Sequence, residues 1–189
     1  NDNTVGLYSI ALGQNVQASH NSIAIGNTTI AGTDVIGEAS NDGRHSSVAV
    51  GIAADVQGTA SVGFGKSITA SALRQNMVGI GDTIGLLGSD QVGIGKDVNL
   101  TSSGAGVGVG ENITISGTGN SVSIGKDNTA QRTGVSIGLT ALQTGDGAVS
   151  IGKTTTAGGA SSLALGSNAS SSSSNAVAIG KDITSLGVS

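Results

Sequence analysis

The residues able to do chemistry are few in this chain of 189, and they stand apart from one another. There are 12 acidic side chains, two histidines and no cysteine. Hydrolysis of a glycosidic bond needs two carboxylates converging on one groove. Here the acids are scattered, mostly at turn positions. His20 and His45 have no ligand-spaced neighbour, and a histidine alone in a polar turn is ordinarily a solvated side chain rather than a base or ligand. The glycine-rich runs GVGVG (Gly106–Gly110) and GIGDTIG (Gly79–Gly85) lack the Lys-Ser/Thr pair and following helix that would make them phosphate loops. Basic patches interleaved with aromatics, the mark of nucleic-acid binding, are missing, as is the Gly-Gly and Asp-rich nonapeptide that binds calcium. A Thr-x-Thr array for ice binding reduces to one coil, Thr154 and Thr156. The expectation is therefore no catalytic residue, no metal, no cofactor, no enzyme activity and no nucleic-acid partner.

Composition points to architecture instead. The chain has 33 glycines, no proline, no tryptophan and 1% aromatic residues. Charged residues make up 11% and the net charge is −4, whereas disordered chains pair low hydrophobicity with high charge. The apolar 37% is carried mostly by Ala, Val, Ile and Leu, which suits thin, closely packed layers. No apolar run approaches the roughly 20 residues of a membrane span, so no direct membrane insertion is expected. No signal-peptide pattern opens the chain, and no stalk or anchor pattern is present, so it reads as a piece of a longer soluble or surface-displayed protein.

A phrase of apolar, small, apolar and glycine recurs twelve times, at Gly13, Gly26, Gly51, Gly65, Gly81, Gly95, Gly110, Gly125, Gly138, Gly152, Gly166 and Gly180. From Gly51 onward the spacings are 14, 16, 14, 15, 15, 13, 14, 14 and 14 residues. A fixed short period marks a solenoid, in which each unit stacks on its neighbours. Coils of this size suit two short strands joined by two turns, giving an all-β parallel β-roll as one domain over 1–189.

Alternate residues of a strand share a face. The positions one and three before each glycine are apolar and mostly β-branched, as in Val122 and Ile124 or Val149 and Ile151. They are expected to point inward. The residue between them is always small: Ala11, Ala24, Ala49, Gly63, Gly79, Gly93, Gly108, Ser123, Ser136, Ser150, Ala164 and Ala178. That face is expected to meet another backbone closely, as a subunit contact would require. Three and five residues after the glycine a second strand is expected to turn pairs such as Ile68 and Ala70, or Ile113 and Ile115, inward, with polar residues facing water. The glycine itself marks a corner needing positive φ or close backbone approach. All five lysines, Lys66, Lys96, Lys126, Lys153 and Lys181, follow these glycines directly, where exposed charge keeps stacked strands soluble.

The phrases NSIAIG (Asn21–Gly26), SVAVG (Ser47–Gly51), NSVSIGKD (Asn120–Asp127) and NAVAIGKD (Asn175–Asp182) resemble the head repeats of trimeric autotransporter adhesins of the YadA-like kind. The resemblance covers nearly the whole chain. It implies a left-handed roll, a homotrimer whose threefold axis is faced by the small-residue positions named above, and display on the outer membrane surface of a Gram-negative bacterium. It also implies attachment to collagen, fibronectin, laminin or a host cell receptor, with autoaggregation and virulence as consequences. The structural β-solenoid of a phage or surface fibre would share the same repeat.

Two stretches break the period. Residues 27–46 are either a degenerate coil or an excursion, and Ser71–Met77 lengthens one turn. Loops that leave a scaffold often carry function, so Asp42, Arg44, His45 and Arg74 are the candidate partner-binding residues.

Overall fold

The computed structural model describes residues 3–32, 46–71, 74–100, 104–116 and 119–186, and all regular structure in them is β-strand. The chain divides into two compact units, Asn1–Lys96 and Asp97–Ser189. Each is a stack of coils with one five- or six-residue strand ending near the repeat glycine and one short strand after it. In the first unit the long strands are Ile10–Gln14, Ile23–Asn27, Val48–Ile52, Val62–Lys66, Val78–Asp82 and Gln91–Lys96. The short ones run from Thr4–Val5 to Gly85–Leu86. In the second unit the long strands are Gly106–Glu111, Ser121–Lys126, Val135–Leu139, Val149–Lys153, Leu163–Ser167 and Val177–Lys181. Its short strands run from Asn99–Leu100 to Thr184–Ser185.

Long pairs with long and short with short, always parallel and glycine on glycine. Gly65 pairs Gly81, and Gly125 pairs Gly138, although 16 residues separate the first two and 13 the second. The turns absorb the difference. The strand Ile23–Asn27 pairs directly with Val48–Ile52, and Ile30–Ala31 with Asp55–Val56. No coil intervenes between them, so the stretch 27–46 does not add a degenerate coil to the stack. Residues 33–45 lie outside the described residues.

The repeat glycine is required twice over at the corner. Gly51 has φ 144° and Gly152 has φ 135°. A Cβ on Gly51 would sit 1.6 Å from the carbonyl oxygen of Gly65, and one on Gly152 1.7 Å from that of Gly166. The residue two positions later is left-handed in every coil, and glycine never occupies it. Asn15, Asp97, Asn112, Asp127, Asn168 and Asp182 are types that tolerate this conformation. Thr83, Thr140 and Thr154 do so with a β-branched side chain, at φ 61°, 55° and 55°.

These corners yield opposite expectations. Gly152→Ala should lose at least about 2 kcal/mol, since strained φ alone costs roughly 1–3 and the stacked carbonyl blocks the methyl. Thr154→Asn should gain about 0.5–1 kcal/mol by easing a left-handed residue. Urea unfolding midpoints for both variants check the pair.

Candidate functional site

The interior of each unit is built from unequal halves. The short strands send in large residues: Val16, Val56, Ile68, Ile84, Leu86, Val98, Leu100, Ile113 and Ile115 are all fully buried. These match the inward pairs expected from the repeat. The long strands send in the small ones. Ala24, Ala49, Ser123, Ser136, Ser150, Ala164 and Ala178 have no exposed surface, and Gly63, Gly79, Gly93 and Gly108 are buried with them. Ala11, on the first long strand, is half-buried.

This reverses the expected faces of the long strand. Ala11, Ala24, Ala49, Gly63, Gly79, Gly93, Gly108, Ser123, Ser136, Ser150, Ala164 and Ala178 lie on the inner face of the roll, so as a set they are not the surface that meets a second chain. The physical reason is space. A Cβ on Gly63 would come within 2.4 Å of Val56 Cγ2, one on Gly79 within 2.9 Å of Ile68 Cγ2, and one on Gly108 within 2.8 Å of Val98 Cγ1. The opposing short strand is the close neighbour. Sizes compensate across the gap. Glycine takes the inner position in the coils of Ile68, of Ile84 and Leu86, of Val98 and Leu100, and of Ile113 and Ile115. Serine or alanine takes it where the partners are Asn128 and Ala130, Thr155 and Ala157, or Ala169 and Ser171. In these seven coils the size relation across five and seven residues is a signal in the sequence that marks the inner face.

The β-branched residues one and three before the glycine therefore face out. Ile10, Leu12, Phe64, Ile80, Ile94, Ile124, Leu165, Val177 and Ile179 keep between 36% and 59% of their surface exposed, and the others in these two columns are half-buried by neighbours along the stack. Each unit thus presents a contiguous two-column apolar face. Patches of this extent on a soluble protein mark interaction surfaces.

The position after the glycine shares this outward side and carries the charge. In the first unit Lys66, Asp82 and Lys96 succeed one another on paired strands, with Lys66 Nζ 3.8 Å from Asp82. In the second unit Lys126 Nζ lies 3.2 Å from Glu111, and beyond it lysines alternate with Leu139 and Ser167. Along the stack the lysines are thus interleaved with acids or neutral residues.

Polar side chains, some buried and some exposed, bridge successive coils or brace a single one. Asn128 Nδ2 donates to the Ile124 and Gly138 carbonyls at 2.7 and 3.0 Å, and its Oδ1 accepts from Ala141 N at 2.8 Å. Asn3 spans Gly13 O and Val16 N in the same way, at 3.0 Å each. Ser136 Oγ reaches Ala141 O at 2.7 Å. The Asp146 carboxyl is held below the usual carboxylate range by the Thr133 hydroxyl first, and then by the Thr133 amide, the Arg132 charge and the Gly147 amide, against the opposing effect of burial.

Of the candidate partner-binding residues, Arg74 is exposed in the lengthened turn, while Asp42, Arg44 and His45 lie outside the described residues. His20 is half-buried. Among the described residues no group of three His, Cys, Asp or Glu side chains could hold a metal ion, and no helix is long and apolar enough to cross a membrane. No family model and no curated protein matches the chain.

The two faces separate experimentally. Gly79→Val should cost about 1–3 kcal/mol by overpacking the interior, whatever the protein concentration. Ile80→Ser removes an outward side chain, so its effect on thermal stability should grow with concentration as association sets in. Melting curves across a hundredfold concentration range distinguish them.

Proposed function

We propose that this chain is the head of a bacterial surface adhesin that works as a homotrimer. The observation that carries the reading is the pair of outward apolar columns on the long strands. Burying a side chain such as Ile94 or Ile124 is worth about 1.5–3 kcal/mol, and an assembly that covers these columns recovers that in every coil. The resemblance of NSVSIGKD and NAVAIGKD to the head repeats of trimeric autotransporter adhesins supplies the number three. It also supplies the setting, outside a Gram-negative outer membrane.

In this reading the apolar face turns to the threefold axis, and the short-strand sheet and the corners remain for contact. Most of their residues are polar, with Ile30 and Leu142 as exceptions: Thr69, Asn99 and Thr114 are exposed and Thr129, Thr156 and Ser170 half-buried along the outer side of the short strands. The partner is a host matrix protein such as collagen, fibronectin or laminin, or a host cell receptor. Each contact is weak and threefold repetition supplies avidity.

Sedimentation equilibrium tests the assembly and binding to immobilised matrix proteins tests the role. The unmodified chain should sediment as a trimer. Ile94→Asp with Ile124→Asp should give a folded monomer with adhesion reduced at least about tenfold, since paired modules gain 10²–10⁴ from linkage. A stable trimer that binds neither matrix proteins nor host cells would favour the structural-fibre reading.

A further inference from the structure

Each long strand has two ends, and the charges at those ends are related. In the coil of Gly95 the outward residues read Asp90, Val92, Ile94 and Lys96: an acid, two apolar residues and a base. In the coil of Gly81, Arg74 precedes the strand and Asp82 closes it. In the coil of Gly152, Asp146 precedes and Lys153 closes. These are the described coils with charge at both ends, and in all three the signs are opposite. All six residues are exposed or half-exposed. The partners cannot meet within one chain, because a strand of this length holds its ends roughly 17–20 Å apart.

They can meet between chains. When identical parallel sheets face a common rotation axis, the closing end of one copy's strand lies against the opening end of the next copy's strand at the same height. We propose that the second copy docks on the apolar face in exact coil register, with Asp90 on Lys96, Arg74 on Asp82 and Asp146 on Lys153 of the adjacent copy. The inference rests on the trimeric reading above and adds the contacts that fix its axial register.

The sign alternation along the closing column makes register specific. Successive coils are about 4.8 Å apart. A slip of one coil would set Arg74 against Lys66 or Lys96, both of its own charge, and would set Asp90 against Asp82. The apolar columns cannot discriminate, since Val and Ile recur in every coil. Repulsion in the wrong register is an ordinary way for a repetitive interface to choose one alignment. Lys153 suits the role further. Its neighbours along the stack are Leu139 and Ser167, and its ammonium makes no ion pair among the described residues. Asp146 is kept ionised by Thr133 and Arg132.

The test is a charge-swap cycle read by trimer dissociation. Asp146→Lys and Lys153→Asp should each raise the dissociation constant about tenfold or more, since each pair recurs three times at about 0.2–1 kcal/mol. The double swap should return to within about threefold of the unmodified chain. Carbodiimide, which joins carboxylates to amines in contact, should link Asp146 to Lys153 and Asp90 to Lys96 in bands of two and three chains. It should not link Asp146 to Lys181, two coils away. If the double swap is as weak as the singles, or if neither single alters a persisting trimer, or if the links fall between coils of different height, the register proposal is wrong while the trimer stands. A chain that stays monomeric in sedimentation overturns the trimer and this proposal together.

Discussion

The interior of a coil of about fourteen residues has depth for one layer of large side chains. Once the short strand places Ile84 and Leu86 there, the facing position of the long strand must be Gly79, because even a Cβ at that point would press on Ile68 Cγ2 and Leu86 Cδ1 at 2.9 and 3.1 Å. Where the short strand supplies Thr155 and Ala157, Ser150 fits and hydrogen-bonds Thr155 at 2.9 Å. The remaining apolar bulk of the long strand has nowhere to go but out. Its exposure in the lone chain and its expected burial between chains follow from the same lack of room.

Stacking supplies what thin cores do not. Each corner glycine lies under the carbonyl of the next, and each left-handed residue after it donates its amide to a carbonyl in the coil before, as Thr28 does to Gln14 O and Asp182 to Ser167 O at 2.9 Å each. Side chains extend this ladder: buried Asn128 and exposed Asn3 each satisfy both ends of the amide on the next coil. A polar interior is thereby tolerated at Asn128, and beyond it the core shrinks to Ala148, Ala157, Ala164, Ala169 and Ala178. Cohesion of this sort passes from neighbour to neighbour, as expected for a quasi-one-dimensional fold.

The period, the strand pairs and the corners were legible because they are written in residue types with one common meaning. Glycine at a corner and Ile113 with Ile115 two apart in a strand admit few other readings. The two faces of the long strand were harder. Val122 and Ile124 obey the rule that β-branched apolar residues belong inside, and Ser123 between them satisfies the rule that small residues admit a close neighbour. Both rules are sound, but the close neighbour is the chain's own short strand. Only the size relation between positions five and seven residues apart decides it, and that relation crosses a turn. Register across 27–46 was likewise beyond local reading, since pairing of Ile23–Asn27 with Val48–Ile52 is a fact about stacked coils rather than about the intervening residues.

A chain with so little reactive chemistry is suited to repetition rather than to a single site. Its outward apolar columns are nearly identical from coil to coil, so in the proposed assembly they would hold copies together without aligning them. Alignment has to come from residues that differ between coils, and on the flanks of that face the differences are charges. Exposed ion pairs are individually weak, which makes them poor glue and adequate arbiters: they need only favour one alignment over another when burial is equal in both. The same division of labour would extend to the outside of the proposed head. In that proposed head, Thr69, Asn99, Thr114, Thr129, Thr156 and Ser170 on the outer side of the short strands would give many similar weak contacts, and specificity for a ligand would reside in their spacing along the stack.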